Sequence, residues 1–261
     1  MTGPLGTTTQ PRGRRDRGPR DLAFILDVAF TPVLLLTVLG ALYAYLQNQQ
    51  LDDIERREIN RQEITNRVIE HLQLVAVSSL VVILIAVPLG VLLTRPGLRH
   101  AATAVLPLAN LGQAVPSIGI LALLAIWQGF GFHMAVIALV LISFLSVLRN
   151  TMVGVSAVDW SLIEAARGMG LSRTVVLFRV ELPLAVPVIL AGIRVALILN
   201  VGSAALATYT NAGGLGNLIE TGIALDRMPV LLTGGVLTAV LALTIDWLAG
   251  LTERVLRPRG L

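Results

Sequence analysis

The sequence contains no cysteine and no lysine. The missing thiol excludes disulfide scaffolds, cysteine nucleophiles and zinc ribbons. The missing lysine excludes Schiff-base chemistry and any phosphate-binding loop built on Gly-Lys-Ser/Thr. All 20 basic residues are arginine, and any nucleotide chemistry belongs to another polypeptide. The three histidines, His71, His100 and His133, are too far apart to form a ligand pair at helical spacing. No metal or cofactor is expected. Charge is scarce as well: 14% of residues are charged, against about 25% in soluble domains. A cytosolic globular protein is a poor fit.

What the chain does have is long apolar runs. Of its 261 residues 55% are hydrophobic, and the mean hydropathy is +0.79. A helix crossing a bilayer needs about 20 mostly apolar residues. Six stretches qualify: 29–46, 72–93, 103–127, 132–148, 185–207 and 230–251. The third is interrupted by Pro107, Asn110, Gln113 and Pro116, so it is either one kinked helix or two pieces. The expected class is all-α, a polytopic membrane protein with about six transmembrane helices.

Arginine placement orients the spans, because cytoplasmic loops accumulate positive charge. With the N-terminus inside, 14 arginines fall on inner segments and five on outer ones, and Arg194 lies within a span. Both termini are therefore expected in the cytoplasm. The first 20 residues are polar, and no small-residue cleavage site follows them, so the first span is expected to be retained. The organisation expected is a disordered basic tail at 1–28, a membrane domain at 29–251 and a second tail at 252–261. The basic tail lacks the interleaved aromatics of a nucleic-acid surface, so no nucleic acid is expected. Of the isolated polar residues, Arg194 is expected to snorkel to the inner surface. Asp27 is expected to be solvated, and Asp246 to be hydrated or paired with a basic neighbour.

Most connections are short, and two longer ones are informative. The outer stretch 47–71 carries charges of both signs at spacings that suit helical pairs. The inner stretch 149–184 holds two short helices by its capping signals. Ser161-Leu162-Ile163-Glu164 reads as a capping box, and Gly168 or Gly170 reads as the stop. Ser172 caps a second helix, and Pro183 and Pro187 open the fifth span. A helix–turn–helix of this size cannot build its own core and suits docking into a partner's groove.

The spacing Glu164-Ala165-Ala166, three residues, Gly170, nine residues, Val180, one residue, Leu182-Pro183 resembles the cytoplasmic loop signature of bacterial ABC importer permeases. Val180 departs mildly from the usual Ile. The runs 164–170 and 181–194, the stretch 110–124 with its Gln-Ala-Val-Pro-Ser, and Ala212-Gly213-Gly214-Leu215-Gly216 are similar to the osmoprotectant branch. That branch imports glycine betaine, choline, carnitine and proline, and it often has Gly where Asn211 stands. The likeness covers about 72–226.

The resemblance implies a type I ABC importer permease in the bacterial inner membrane. It implies partners too: two ABC ATPase subunits, a second permease chain (identical or homologous) and an extracytoplasmic substrate-binding protein, assembled in the lipid membrane. It assigns ATPase coupling to Ser161, Glu164, Ala165, Ala166, Gly168, Gly170, Leu182 and Pro183. Asn110, Gln113, Pro116, Asn200, Asn211, Gly213 and Gly214 are the candidates for the translocation path, with interhelical hydrogen bonding as the alternative role of the amides. Two other functions stay open: a methionine-type permease and an osmotic channel without an ATPase.

Overall fold

The structure is a computed structural model, and it describes the backbone of residues 19–256 and the side chains of residues 28–255. The described residues form helices and short connections, without strands. The elements are α1 (Pro19–Gln47), α2 (Asp53–Glu58), α3 (Arg61–Leu93), α4 (Ala102–Ala114), α5 (Ser117–Gln128) and α6 (Phe132–Ser156). They continue with α7 (Trp160–Gly168), α8 (Arg173–Val176), α9 (Leu182–Ala204), α10 (Gly216–Ala224) and α11 (Met228–Leu256). Five helices are long and apolar enough to cross a membrane. The pair Arg99–Ala114 and Ser117–Gln128, bent by 97°, is apolar enough to make a sixth crossing when it is counted as one broken span. The third stretch is therefore two pieces. Proline disfavours helical backbone in the residue before it, and Val115, extended at φ −83° and ψ 134°, breaks the helix there.

Other boundaries move because helices in membrane proteins continue past the bilayer. The 33 residues of α3 reach about 50 Å at 1.5 Å per residue, against a hydrocarbon core of about 30 Å. Its polar first turns therefore stand outside the membrane. Helix α6 runs on to Ser156, well past the expected end at 148. The fifth crossing is helical from Arg173 to Thr210; Pro183 stands in the first turn of α9, as expected, while Pro187 lies inside that helix. Helix α1 takes in residues 19–28, which the composition had placed in the basic tail. Helix α11 likewise takes in 252–256. The remainder of both tails lies outside the described residues, as does the side chain of Asp27.

Helices α3, α6 and α9 form the centre. Leu74, Val82, Leu139, Leu148 and Val201 are fully buried among them. Little hydrophobic force acts between helices in lipid, so close packing of small residues holds them. Gly192 of α9 shows how close: a Cβ there would collide with Asn150 Cβ on α6. Helix α11 flanks this centre and α1 lies outermost against it, where the Trp247 indole N–H donates to the Val28 carbonyl at 2.9 Å. Large apolar side chains of α4 and α5 stay uncovered, with Leu108, Ile126 and Trp127 all exposed. Lipid or a second chain is the natural neighbour of such a face.

Candidate functional site

One end of the bundle carries α7, α8 and the turn between α3 and α4. Helix α7 begins two residues earlier than a Ser161 cap requires. Asp159 is the N-cap, its carboxylate accepting from the Ser161 N–H at 2.9 Å. The Ser161–Glu164 capping box is therefore absent, and Glu164 is free on the exposed face beside Ala165. The backbone bond holds the Asp159 carboxyl below its usual range. Ala166 is buried and seats the helix.

The stop is a Schellman turn: Leu171 N–H donates to Ala166 O at 3.3 Å and Gly170 N–H to Arg167 O at 2.9 Å. Gly170 sits at φ +85°, which an L side chain adopts only with strain. A methyl group placed on Gly168 would meet nothing within 4 Å. The turn leaves Trp160, Leu162 and Met169 uncovered at a polar end of the molecule.

Ser172 then caps α8 through the Val175 N–H at 3.4 Å, as its position after the turn suggested. Between α8 and α9 the backbone forms a π-turn, Leu177–Glu181. Such insertions recur at functional sites. This one presents Glu181, buried, to Arg95 at the end of α3 in a bidentate pair of 2.6 and 3.2 Å. Leu182 is half-buried and Pro183 exposed directly after it. A cleft of about 1050 Å³ lies between the α3–α4 turn, the end of α6 and α7–α8, edged by Arg95, Arg99, Arg167 and Arg173.

The amides are distributed along the bundle and do not converge on one point. Asn110, Gln113 and Pro116 lie on the exposed side of the bent pair, and Gln113 Nε2 donates to Ser146 Oγ on α6 at 3.1 Å. Asn200 is fully buried, its amide N–H₂ donating to Ser78 at 3.1 Å and Ser79 at 3.0 Å. It joins α9 to α3, the interhelical hydrogen-bonding role expected as the alternative for the amides. Arg194 is drawn sideways to Asp246 of α11, with Nη2 to Oδ2 at 2.7 Å, and Glu253 lies 3.8 Å away. It does not extend alone to the surface; a bidentate partner is available within the helix packing.

At the opposite end Asn211 adopts a left-handed conformation (φ 55°) and leads into Gly213 and Gly214 at φ +82° and +98°. The turn wraps a carboxylate: Gly214 N–H donates to Glu70 Oε2 at 2.8 Å, and a Cβ on Gly213 would reach 2.5 Å from that oxygen. This explains the glycines better than backbone flexibility alone. Neighbouring His71 is buried and donates from Nε2 to Val201 O at 3.1 Å. Sequence reasoning missed Glu70, Arg95 and Glu181; opposite charges at helix ends were the only available signal. Among the described residues no group of three or more His, Asp or Glu side chains converges to hold a metal.

A bundle of this kind, with a bent crossing and an exposed two-helix element at one end, is a membrane transport subunit. The chain belongs to the family of binding-protein-dependent transport system inner membrane components, which matches residues 67–258. It is 38% identical over 231 residues to the osmoprotectant import permease protein OsmY of Salmonella typhimurium, covering 88% of this chain and 95% of the relative. It is also 38% identical over 204 residues to the glycine betaine/carnitine/choline transport system permease protein OpuCB of Bacillus subtilis, covering 78% and 93%. Among solved structures it resembles the inward-facing MetNI methionine ABC transporter, with a TM-score of 0.65 and 27% identity over 74% of this chain and 96% of that one. The architecture is that of a type I ABC importer permease in the inner membrane.

Proposed function

We propose that the chain is the permease of an importer for betaine-type osmoprotectants: glycine betaine, choline, carnitine or proline. Identity of 36–41% to permeases named for osmoprotectants, carnitine, choline and glycine betaine supports the substrate class. In this reading two permease chains pair, and two ABC ATPase subunits hydrolyse the ATP. An extracytoplasmic binding protein delivers the solute. Residues 29–251 form the membrane domain, and the coupling segment lies within 149–184.

The observation that carries the mechanism is the exposed α7 with its Schellman turn. Its uncovered Trp160, Leu162 and Met169 suit a groove on the ATPase, with Ser161, Glu164, Ala165, Gly168 and Gly170 as the docking surface and the buried Ala166 seating the helix behind it. Leu182 and Pro183 follow the π-turn that carries movement of this element into α9. The arginine-rich end that bears α7 faces the cytoplasm, both termini included. On that orientation ATP-driven closure of the partners pulls the α7–π-turn element and reopens the cavity outward. Asn110, Gln113 and Pro116 then line the path at the bent crossing, while Asn200 supports it from behind and Asn211, Gly213 and Gly214 shape its outer mouth. Neutral amides suit this task, because fixed charge in a low-dielectric path would hold an oppositely charged solute too tightly to release.

Reconstitution of the chain with its ATPase and binding protein tests the reading. Uptake of labelled glycine betaine, choline, carnitine and proline is expected, and it should require ATP. Uptake of methionine alone would establish the methionine-type alternative, and flux without ATP would establish a channel.

A further inference from the structure

The cleft at the α7 end, about 1050 Å³, has an apolar floor and a basic rim. Leu93 at the end of α3 and Val155 on α6 line it and are buried; Met152, Ile163 and Leu177 line it half-buried. The charged lining is four arginines and one carboxylate, Glu181. That carboxylate is already taken by Arg95. Arg99, Arg167 and Arg173 are exposed and have neither an ion pair nor a side-chain hydrogen bond among the described residues. Three positive charges thus stand uncompensated around an apolar floor.

Helix α7 divides its two sides between this cleft and the outside. Trp160, Ile163 and Arg167, at i, i+3 and i+7, line the cleft. Leu162 and Ala165 fall on the opposite side with Met169 beyond them, exposed, and none of the three lines it. A groove that takes Leu162 and Met169 therefore leaves the cleft free. The apolar run of α3 ends at Leu93, and the first charge after it is Arg95. On the orientation proposed above this is the level of the inner headgroups, and Leu92 and Leu98 are exposed at the same turn. The chain's own ends do not match the rim. Residues 1–20 carry five arginines against one aspartate, and residues 257–261 carry two arginines and no acid.

We propose that this cleft holds an anionic phospholipid of the inner leaflet. Arg99, Arg167 and Arg173 take the headgroup phosphate, and the first acyl carbons lie on Leu93, Met152 and Ile163. Basic pockets between transmembrane helices on the cytoplasmic side bind such headgroups, and guanidinium forks pair bidentately with phosphate oxygens. Ser156 and Thr174, exposed in the lining and without a side-chain hydrogen bond among the described residues, can donate to the remaining oxygens. A net-negative lipid is favoured over a zwitterionic one, whose ammonium would meet the same three arginines. The site rests on the orientation proposed above. Bound there, the lipid bridges the end of α3 to α7 and braces the coupling element.

The test uses the complete transporter in phosphatidylcholine nanodiscs with a rising fraction of phosphatidylglycerol. Lipid retained after extraction in mild detergent is counted by mass spectrometry. Phosphatidylglycerol should be retained saturably. Arg99→Gln, Arg167→Gln and Arg173→Gln should each weaken it about fivefold, the size of one arginine at an anionic surface. Thr174→Arg adds a guanidinium to the lining and should tighten it, a gain that misfolding cannot imitate. Arg56→Gln and Arg57→Gln, exposed on α2 at the other end, should change nothing.

Graded loss, gain and unchanged controls together support the site. Equal retention by wild type and the triple arginine variant would overturn it, as would displacement of the lipid by millimolar inorganic phosphate. A cysteine at Thr174 that cross-links to the ATPase in membranes with and without phosphatidylglycerol would also overturn it and assign the cleft to a protein. Normal osmoprotectant uptake by a complex that retains no phosphatidylglycerol sinks the site and leaves the proposed function intact. Absence of that uptake, with the lipid retained as expected, counts against the function and leaves the site standing.

Discussion

Removing the charge of Glu181 should uncouple ATP hydrolysis from transport before it unfolds the protein. The Glu181 side chain is only 9% exposed, whereas that of Arg95 is 31% exposed. Two charges about 4 Å apart attract by about 4 kcal/mol at an effective dielectric near 20. Desolvation offsets much of that attraction. Losing one member of a fully buried pair costs about 3–5 kcal/mol, but here the stranded Arg95 can rehydrate on its exposed side. We therefore expect Glu181→Gln to cost about 2 kcal/mol.

The effect falls on one joint: the π-turn loses its tie to the end of α3, so α7 and α8 can shift without pulling α9. In proteoliposomes the ATPase rate should persist while solute moved per ATP falls, and thermal denaturation should occur at lower temperature. Glu181→Arg should be worse than Glu181→Gln, and combining it with Arg95→Glu should recover at least about 1 kcal/mol of the loss, the signature of a direct contact. Strictly additive effects in that cycle, or wild-type coupling in Glu181→Gln, would refute the joint.

Asp159 has a depressed carboxyl pKa, so its cap stabilises α7 above the ordinary carboxylate range and is lost as pH falls through the depressed value. Amide exchange at 161–163 should accelerate on acidification below about pH 4, and Asp159→Asn should remove that dependence. Gly170→Ala, at φ +85°, should cost about 1 kcal/mol, while Gly168→Ala, in open space, should leave thermal stability unchanged or raised; equal behaviour of the two would contradict the Schellman turn. Arg194→Leu should destabilise more than the Arg194→Leu/Asp246→Leu pair, because the single change strands a carboxylate among apolar helices; denaturant unfolding of both variants checks this. Cysteines placed at Asn48 and Asn217 should react with an impermeant thiol reagent in intact cells, and one at Ser172 should not; labelling at Ser172 would reverse the orientation.

The sequence alone determined whatever depends on neighbours along the chain. An apolar run long enough for the bilayer must become a helix, because lipid offers the backbone no other hydrogen-bond partner, and the five long apolar helices follow from that. The turn at Gly170 and the cap at Ser172 were legible for the same reason: each satisfies backbone groups within a few residues. The start of α7 was not, since Asp159 and Ser161 are both competent caps and the path of the chain leaving α6 selects Asp159. Pro183 read as a helix opener and stands in the first turn of α9, whereas Pro187 lies inside that helix and the π-turn leads into it from Arg173.

Only the tertiary structure decided the rest. Arg95 meets Glu181 across 86 positions, Arg194 meets Asp246 across 52, and Glu70 meets Gly214 across 144. No local pattern encodes such pairs. Asn200, a path residue by composition, became a buried link between α3 and α9 because the helix packing turned it toward Ser78 and Ser79. Charges and amides in an apolar chain take whichever polar partner the helix packing brings within reach, since leaving them alone costs more.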